Sequence, residues 1–317
     1  MKRIAFFLSL IVLLIVISYY KMIEDIAIFS PLHISDAKPS HTDNAVYPHK
    51  VSPSPSSRPA TASESPTGSI SQDEFPGVMP SEYRRLKYYY PDNEARYAEY
   101  KYLNPDYDYE KVILHVNIGL DLPFYTNINT IEETNRLDIL VNKYNKLPDS
   151  FVPQLEQLPA SLCAPGTGNQ YLRKEAKEAF ERMHHDAKEQ GLNITAYGTY
   201  RSIELQHSIW NSKVNSGRTI EDVDRLNSRG GHSEHHTGLA IDVIKNNYYV
   251  EDTLEFKWYK DNAHLYGFII RYPEGKESIT GYSYEPWHLR YLGPDLATEV
   301  YYSGLTFDEY YAMMIGY

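Results

Sequence analysis

Two short stretches of this 317-residue chain carry residue types that can act on one another: Ser233-Glu-His-His-Thr-Gly-Leu-Ala-Ile-Asp242, and far downstream Glu285-Pro-Trp-His288. Together they offer imidazoles, carboxylates and a glycine break, the material of a metal site that keeps one position open. His235, His288 and Asp242 give two neutral nitrogen donors and one anionic oxygen, which leaves a bound zinc net positive and able to acidify water. Glu285, three residues before His288, is then left as the general base. The same donors would also accept cobalt, manganese or iron, although zinc suits them best.

The elements that carry these residues must bend. Leu239, Ile241 and Val243 alternate with Ala240 and Asp242, so this piece reads as a half-buried strand with Asp242 opposite the aliphatic side chains. His235 stands at an odd offset from Asp242 and would face the other way on a straight strand, so the chain has to turn between them, and Gly238 permits it. Glu285 and His288 pose the same problem, which a bulge or edge position at Pro286 would solve. Leu289, Tyr291 and Leu292 then form a strand returning to the core. Residues 171–190 read as a helix with a stripe of Leu172, Ala176, Ala179, Phe180 and Met183, stopped by Gly191. Residues 192–200 read as a strand delivering Arg201. Residues 254–266 read as a helix ending at Gly267, with a strand over 268–272. The expected catalytic fold is α+β, helices packed on a mainly antiparallel sheet.

Ser233-x-His235-x-x-Gly238-x-Ala240-x-Asp242, followed by Glu285-Pro-Trp287-His288-x-Arg290-Tyr291, resembles the VanY-type D-alanyl-D-alanine carboxypeptidases, zinc peptidases that trim bacterial cell-wall stem peptides. The resemblance implies that His235, Asp242 and His288 bind Zn2+ and that Glu285 is the base. Tyr200-Arg201-Ser202-x-x-x-Gln206 is similar to a family segment whose arginine contacts substrate. By the same resemblance Ser233, Gln206 and Tyr272 are substrate-binding positions, with hydrogen-bonded scaffold as the other reading of Ser233 and Gln206. Arg201 suits a free terminal carboxylate because a guanidinium forks onto it. Among neighbouring residues, His232 and His236 read as solvent-facing, with a supporting place behind His235 as the alternative, and Glu234 is similarly ambiguous. His184 and His185 are adjacent and cannot share a helix face, so they make no metal site.

A net charge of -11 argues against nucleic acid as a partner, and the single Cys163 excludes an intramolecular disulfide. Lys2 and Arg3 precede an apolar run over residues 4–20, about 26 Å as a helix, which reads as an uncleaved membrane anchor with the rest of the chain outside. A cleaved signal peptide is the rival, but no small-residue cleavage site follows. The expected organisation is an anchor over 1–21, a disordered Ser/Pro-rich tether over 22–80, a small Tyr-rich helical subdomain over 81–160 and a zinc carboxypeptidase domain over 161–317. In the subdomain, residues 93–103 and 109–117 read as two helices whose tyrosines pack against the catalytic domain rather than stack on glycan.

The expected function is removal of the C-terminal D-alanine from a peptidoglycan stem peptide at the cell membrane. An L,D-carboxypeptidase acting on the tetrapeptide stem and a non-catalytic zinc-bearing wall-binding module are the alternatives. Glu285 separates the last of these, since a module that only binds has no use for a base beside the metal. A serine peptidase is rejected: its Ser-x-x-Lys pattern, Ser35 to Lys38, lies in the tether.

Overall fold

The computed structural model describes residues 79–316. The expected anchor and all but the last two positions of the expected tether lie outside them. Among the described residues no helix is long and apolar enough to cross a membrane.

Two helices come first, α1 (Glu94–Leu103) and α2 (Tyr109–Ile118). Asp108 caps α2 by accepting from the Lys111 amide, and Gly119 ends it in the left-handed region. Tyr88, Tyr97, Val112, Ile113 and Val116 are buried between the two helices with Met79, ringed by Tyr83, Tyr89, Tyr100, Tyr107 and Tyr109. The tyrosines thus build the interior of this helix pair, where packing against the catalytic domain was expected, and that domain enters the same cluster through Met313.

Two small pairings follow: β1 (Asn129–Thr130) runs parallel to β2 (Asn145–Lys146), and β3 (Glu156–Gln157) antiparallel to β4 (Tyr171–Leu172). Helix α3 (Lys174–Glu189) therefore starts later than its apolar stripe predicts, because residues 171–172 are drawn into a strand pair and the Arg173 amide is bonded to the Gly238 carbonyl. The stripe itself is as expected: Ala176, Ala179, Phe180 and Met183 are fully buried. They lie against Leu239, Ile241, Val243, Leu289 and Tyr291 in the main core. Each large apolar side chain buried in this way contributes about 1.5–3 kcal/mol.

After α3 come β5 (Ala196–Gly198), α4 (Ile203–Asn215), α5 (Ile220–Leu226), β6 (Ala240–Val243), α6 (Leu254–Asn262), β7 (Phe268–Ile270), α7 (Glu277–Thr280), β8 (His288–Tyr291), α8 (Pro294–Ser303) and α9 (Phe307–Tyr310). The central sheet has the order β5-β6-β8-β7 with every pairing antiparallel. The strand expected over 192–200 is thus shorter, and its pairing with β6 is irregular between Ala196 and Gly198. The helix expected over 254–266 tightens into a 3₁₀ turn at Ala263–Tyr266 before Gly267 ends it.

Period-two alternation gives the sheet two different faces. Leu239, Ile241, Val243, Leu289, Tyr291 and Phe268 point to the α3 side. Asp242 pairs with His288, and Ala240 with Arg290, across β6 and β8. Those side chains occupy the other face, covered by the turn at Glu234–Thr237, by residues near 137–145 and by α9.

Candidate metal centre

Asp242 and His288 face one another as a cross-strand pair, with Asp242 Oδ1 3.1 Å from His288 Nδ1. His235 reaches them from a 3₁₀ turn, Glu234–Thr237, that ends at Gly238 with φ of 68°. That turn resolves the odd offset: Ser233 Oγ caps it by accepting from the His235 amide, and His235 Nε2 comes to 3.5 Å from Asp242 Oδ2. The two imidazoles stand edge to face with ring centres 4.9 Å apart. Glu285 and His288 share a turn closed by a bond from the His288 amide to the Glu285 carbonyl, rather than a strand bulge. This places Glu285 Oε2 3.7 Å from His288 Nδ1.

The outer partners settle which nitrogens are free. His235 Nδ1 donates to the Thr199 carbonyl at 2.7 Å, so its Nε2 keeps the lone pair. His288 Nε2 lies 3.3 Å from Glu234 Oε2, an acceptor, so Nδ1 is the nitrogen turned to Asp242. Such second partners are how histidine ligands are oriented. Gly198 lies under the carboxylate: a Cβ there would stand 3.1 Å from Asp242 Oδ2.

One donor atom from each of His235, Asp242 and His288 lies within 4.8 Å of the other two, and all three residues are buried. Ligands around a tetrahedral zinc with bonds of about 2.0–2.1 Å stand roughly 3.3 Å apart, so the observed spacings fit. The charges agree. Burial alone would raise the Asp242 carboxyl, but His235 and His288 hold it well below the usual carboxylate range. Burial pulls His288 down, yet its bonds to Asp242 and Glu234 prevail and push it up to about 9. Burial pushes Glu285 up to about 8 while His288 pulls it back. Such a group of carboxylates draws positive charge, and a divalent cation supplies it.

The other sequence candidates cluster around this centre. Arg201 Nη1 donates to Gln206 Oε1 at 2.6 Å, and Gln206 Nε2 donates to the Ser228 carbonyl. Gln206 is thus engaged at both ends and buried, holding the guanidinium in place. Burial lowers the Arg201 pKa, and the carboxylates of Asp242 and Glu285 act against that, so its charge faces theirs. The Tyr272 ring lies 4.9 Å from the His288 ring, and its carbonyl accepts from the Glu285 amide. Ser233 is buried in its capping role.

Two expectations fail. His232 and His236 are buried, not solvent-facing: His232 Nδ1 donates to the Asn142 carbonyl, and His236 Nδ1 donates to the Arg201 carbonyl while its Nε2 accepts from the Gly231 amide. Glu234, ambiguous in the sequence, is fully buried against His288, Arg271 and Arg290. Thr199 was missed because a backbone carbonyl leaves no mark in a sequence.

Residues 169–294 match the VanY family, described as D-alanyl-D-alanine carboxypeptidase. The Enterococcus gallinarum bifunctional D-Ala-D-Ala dipeptidase and D-Ala-D-Ala carboxypeptidase VanXYC is 32% identical over 185 residues, 54% of this chain and 92% of its own length. YodJ, a candidate carboxypeptidase of Bacillus subtilis, is 36% identical over 199 residues, 60% of this chain and 72% of its own. Among solved structures, the LdcB LD-carboxypeptidase superposes with a TM-score of 0.56 at 37% identity, over 59% of this chain and 91% of that one.

Proposed function

This chain belongs to the VanY family of D-alanyl-D-alanine carboxypeptidases, and from that premise we propose that it is a zinc-dependent carboxypeptidase removing the C-terminal D-alanine from peptidoglycan stem peptides. The observation that carries the reading is a carboxylate, Glu285, set 3.7 Å from a donor nitrogen of the His235, Asp242 and His288 cluster. A purely binding module would gain nothing from it.

A zinc ion held by those three residues supplies Lewis-acid polarisation of the scissile carbonyl and acidifies water. The remaining work falls to the protein. Glu285 takes a proton from the attacking water as its oxygen bonds to the carbonyl carbon, then gives that proton to the departing D-alanine nitrogen as the C–N bond breaks. Burial raises its proton affinity, and a cation held beside it would act against that, favouring the carboxylate that the first transfer needs. Arg201, held by Gln206, pairs with the substrate's terminal carboxylate. Ser233 and Tyr272 line the same site as substrate-binding positions.

The test is to incubate the enzyme with penta- and tetrapeptide stems and weigh the products. Loss of one D-alanine from the pentapeptide is expected, abolished by a chelator and restored by zinc. The likeness to LdcB supports a second reading, L,D-cleavage; turnover of the tetrapeptide alone would favour it. No turnover of either would favour the binding module.

We propose further that residues 4–20 anchor the protein in the cell membrane, with the folded part outside on the 22–80 tether. The apolar run preceded by Lys2 and Arg3 supports this. Full-length protein is expected in the membrane fraction, and a mature form beginning just beyond Tyr20 in the medium would overturn it.

A further inference from the structure

Behind the metal donors lies a buried cluster that the reaction above does not use. Glu234, Arg271, Arg290 and Asp308 have side chains no more than 1% exposed. Arg271 Nε donates to Glu234 Oε1 at 2.7 Å and its Nη1 to Asp308 Oδ2 at 2.6 Å. Arg290 Nη1 donates to the same Glu234 Oε1 at 2.9 Å, and its Nη2 to the Leu137 and Ile139 carbonyls. Asn142 Nδ2 donates to Asp308 Oδ1. Two guanidinium groups and two carboxylates cancel in charge.

The geometry of Glu234 is selective. Both arginines take Oε1, which leaves Oε2 for His288 Nε2 at 3.3 Å. A carboxylate so placed fixes the plane and tautomer of a ligating imidazole, provided its own rotamer is fixed. Here two guanidinium groups fix it, Arg290 on β8 and Arg271 just beyond the end of β7. One of them, Arg271, is fixed in turn by Asp308 on α9. Asp308, like Leu137, Ile139 and Asn142, lies outside the 169–294 segment that matches the family.

We propose that Glu234 is a positioning residue for the zinc centre, clamped by Arg271 and Arg290, and that Asp308 sets zinc affinity through Arg271 from outside the family segment. This rests on the zinc reading of the site. It differs from a merely structural ion cluster in what it moves: loss of a structural cluster lowers the melting temperature and leaves the zinc dissociation constant of the folded protein unchanged.

The experiment measures zinc affinity of the full chain by competition with a chromophoric chelator, well below the melting temperature, with circular dichroism of the metal-free protein as the fold control. Glu234→Gln is expected to weaken zinc binding by about 10- to 100-fold and Asp308→Asn by about 10-fold. Arg271→Lys keeps the charge but cannot fork onto both carboxylates, so it should fall between wild type and Asp308→Asn. Cobalt-loaded Glu234→Gln should also show altered visible bands. Wild-type affinity in folded variants overturns the proposal. Glu234→Gln strands two buried arginines and is the variant most exposed to misfolding; if it does not fold, unchanged affinity in Asp308→Asn and Arg271→Lys overturns the proposal equally. Failure of the wild type to bind zinc at all would instead overturn the reading of the site itself.

Discussion

At the scale of single residues, Glu285 and Arg201 make separable demands on the substrate. Glu285→Gln keeps shape and all three donors while removing the proton acceptor, so zinc content should stay near one per chain while turnover falls roughly 10²- to 10⁴-fold. Near-normal turnover would place the base elsewhere. Arg201→Ala removes a charge-assisted contact worth about 1.5–3 kcal/mol, a loss of roughly 10- to 150-fold in kcat/KM. A C-terminally amidated peptide should escape most of that loss in the variant, having been a poor substrate already; equal wild-type activity on amidated and free peptides would sink the carboxylate role. Both residues were named in the sequence through the joint occurrence of its two segments and their resemblance to a family, since any one histidine or carboxylate alone is more often structural. His232 and His236 were misread because a histidine carries no hydropathy signal, and their carbonyl partners, Asn142 and Arg201, lie 90 and 35 positions away.

At the scale of elements, two glycines do different jobs. Gly238 has φ of 68°, and a Cβ there would meet Leu155 Cδ2 at 2.7 Å and the Arg173 amide nitrogen at 3.2 Å. Gly238→Ala should therefore cost about 1–3 kcal/mol in backbone strain alone, read as a lower denaturant midpoint. Gly198 carries no such strain; its alanine would press on Asp242 Oδ2 from 3.1 Å. Gly198→Ala should weaken zinc binding severalfold with a melting temperature near wild type; the reverse pattern would mean that Gly198 serves the sheet and not the site. Alternation located β6 and the apolar stripe located α3, since both patterns are local. The start of α3 was not legible, because it is set by pairing with Glu156–Gln157. The Glu285–His288 turn was likewise read as a bulge, since proline marks a break without saying which kind.

At the scale of the molecule, folding and pH are linked through histidines kept neutral. Burial lowers both His115, between the tyrosine-rich helices, and His232, beneath residues 142–145, to about 4. Their folded pKa lies below the ordinary value of about 6.5, so the unfolded chain binds more protons below that pH. Stability should be full above pH 6.5 and decline as pH falls towards 4, each group contributing up to roughly 3 kcal/mol. Denaturant midpoints at pH 7.5, 5.5 and 4.5 check this, and His115→Gln should flatten the slope; an identical slope would remove His115 from the account. The tyrosines were expected against the catalytic domain rather than between two helices, because helical spacing marks an apolar face without naming what covers it. Met79 and Met313 share one apolar cluster, and a Cβ on Gly316 would touch the Tyr90 hydroxyl at 3.0 Å. Positions 79 and 316 therefore border the same helix pair, so a flexible peptide joining them, with new ends opened at exposed Gly217, should give a circular permutant that still folds and takes up zinc.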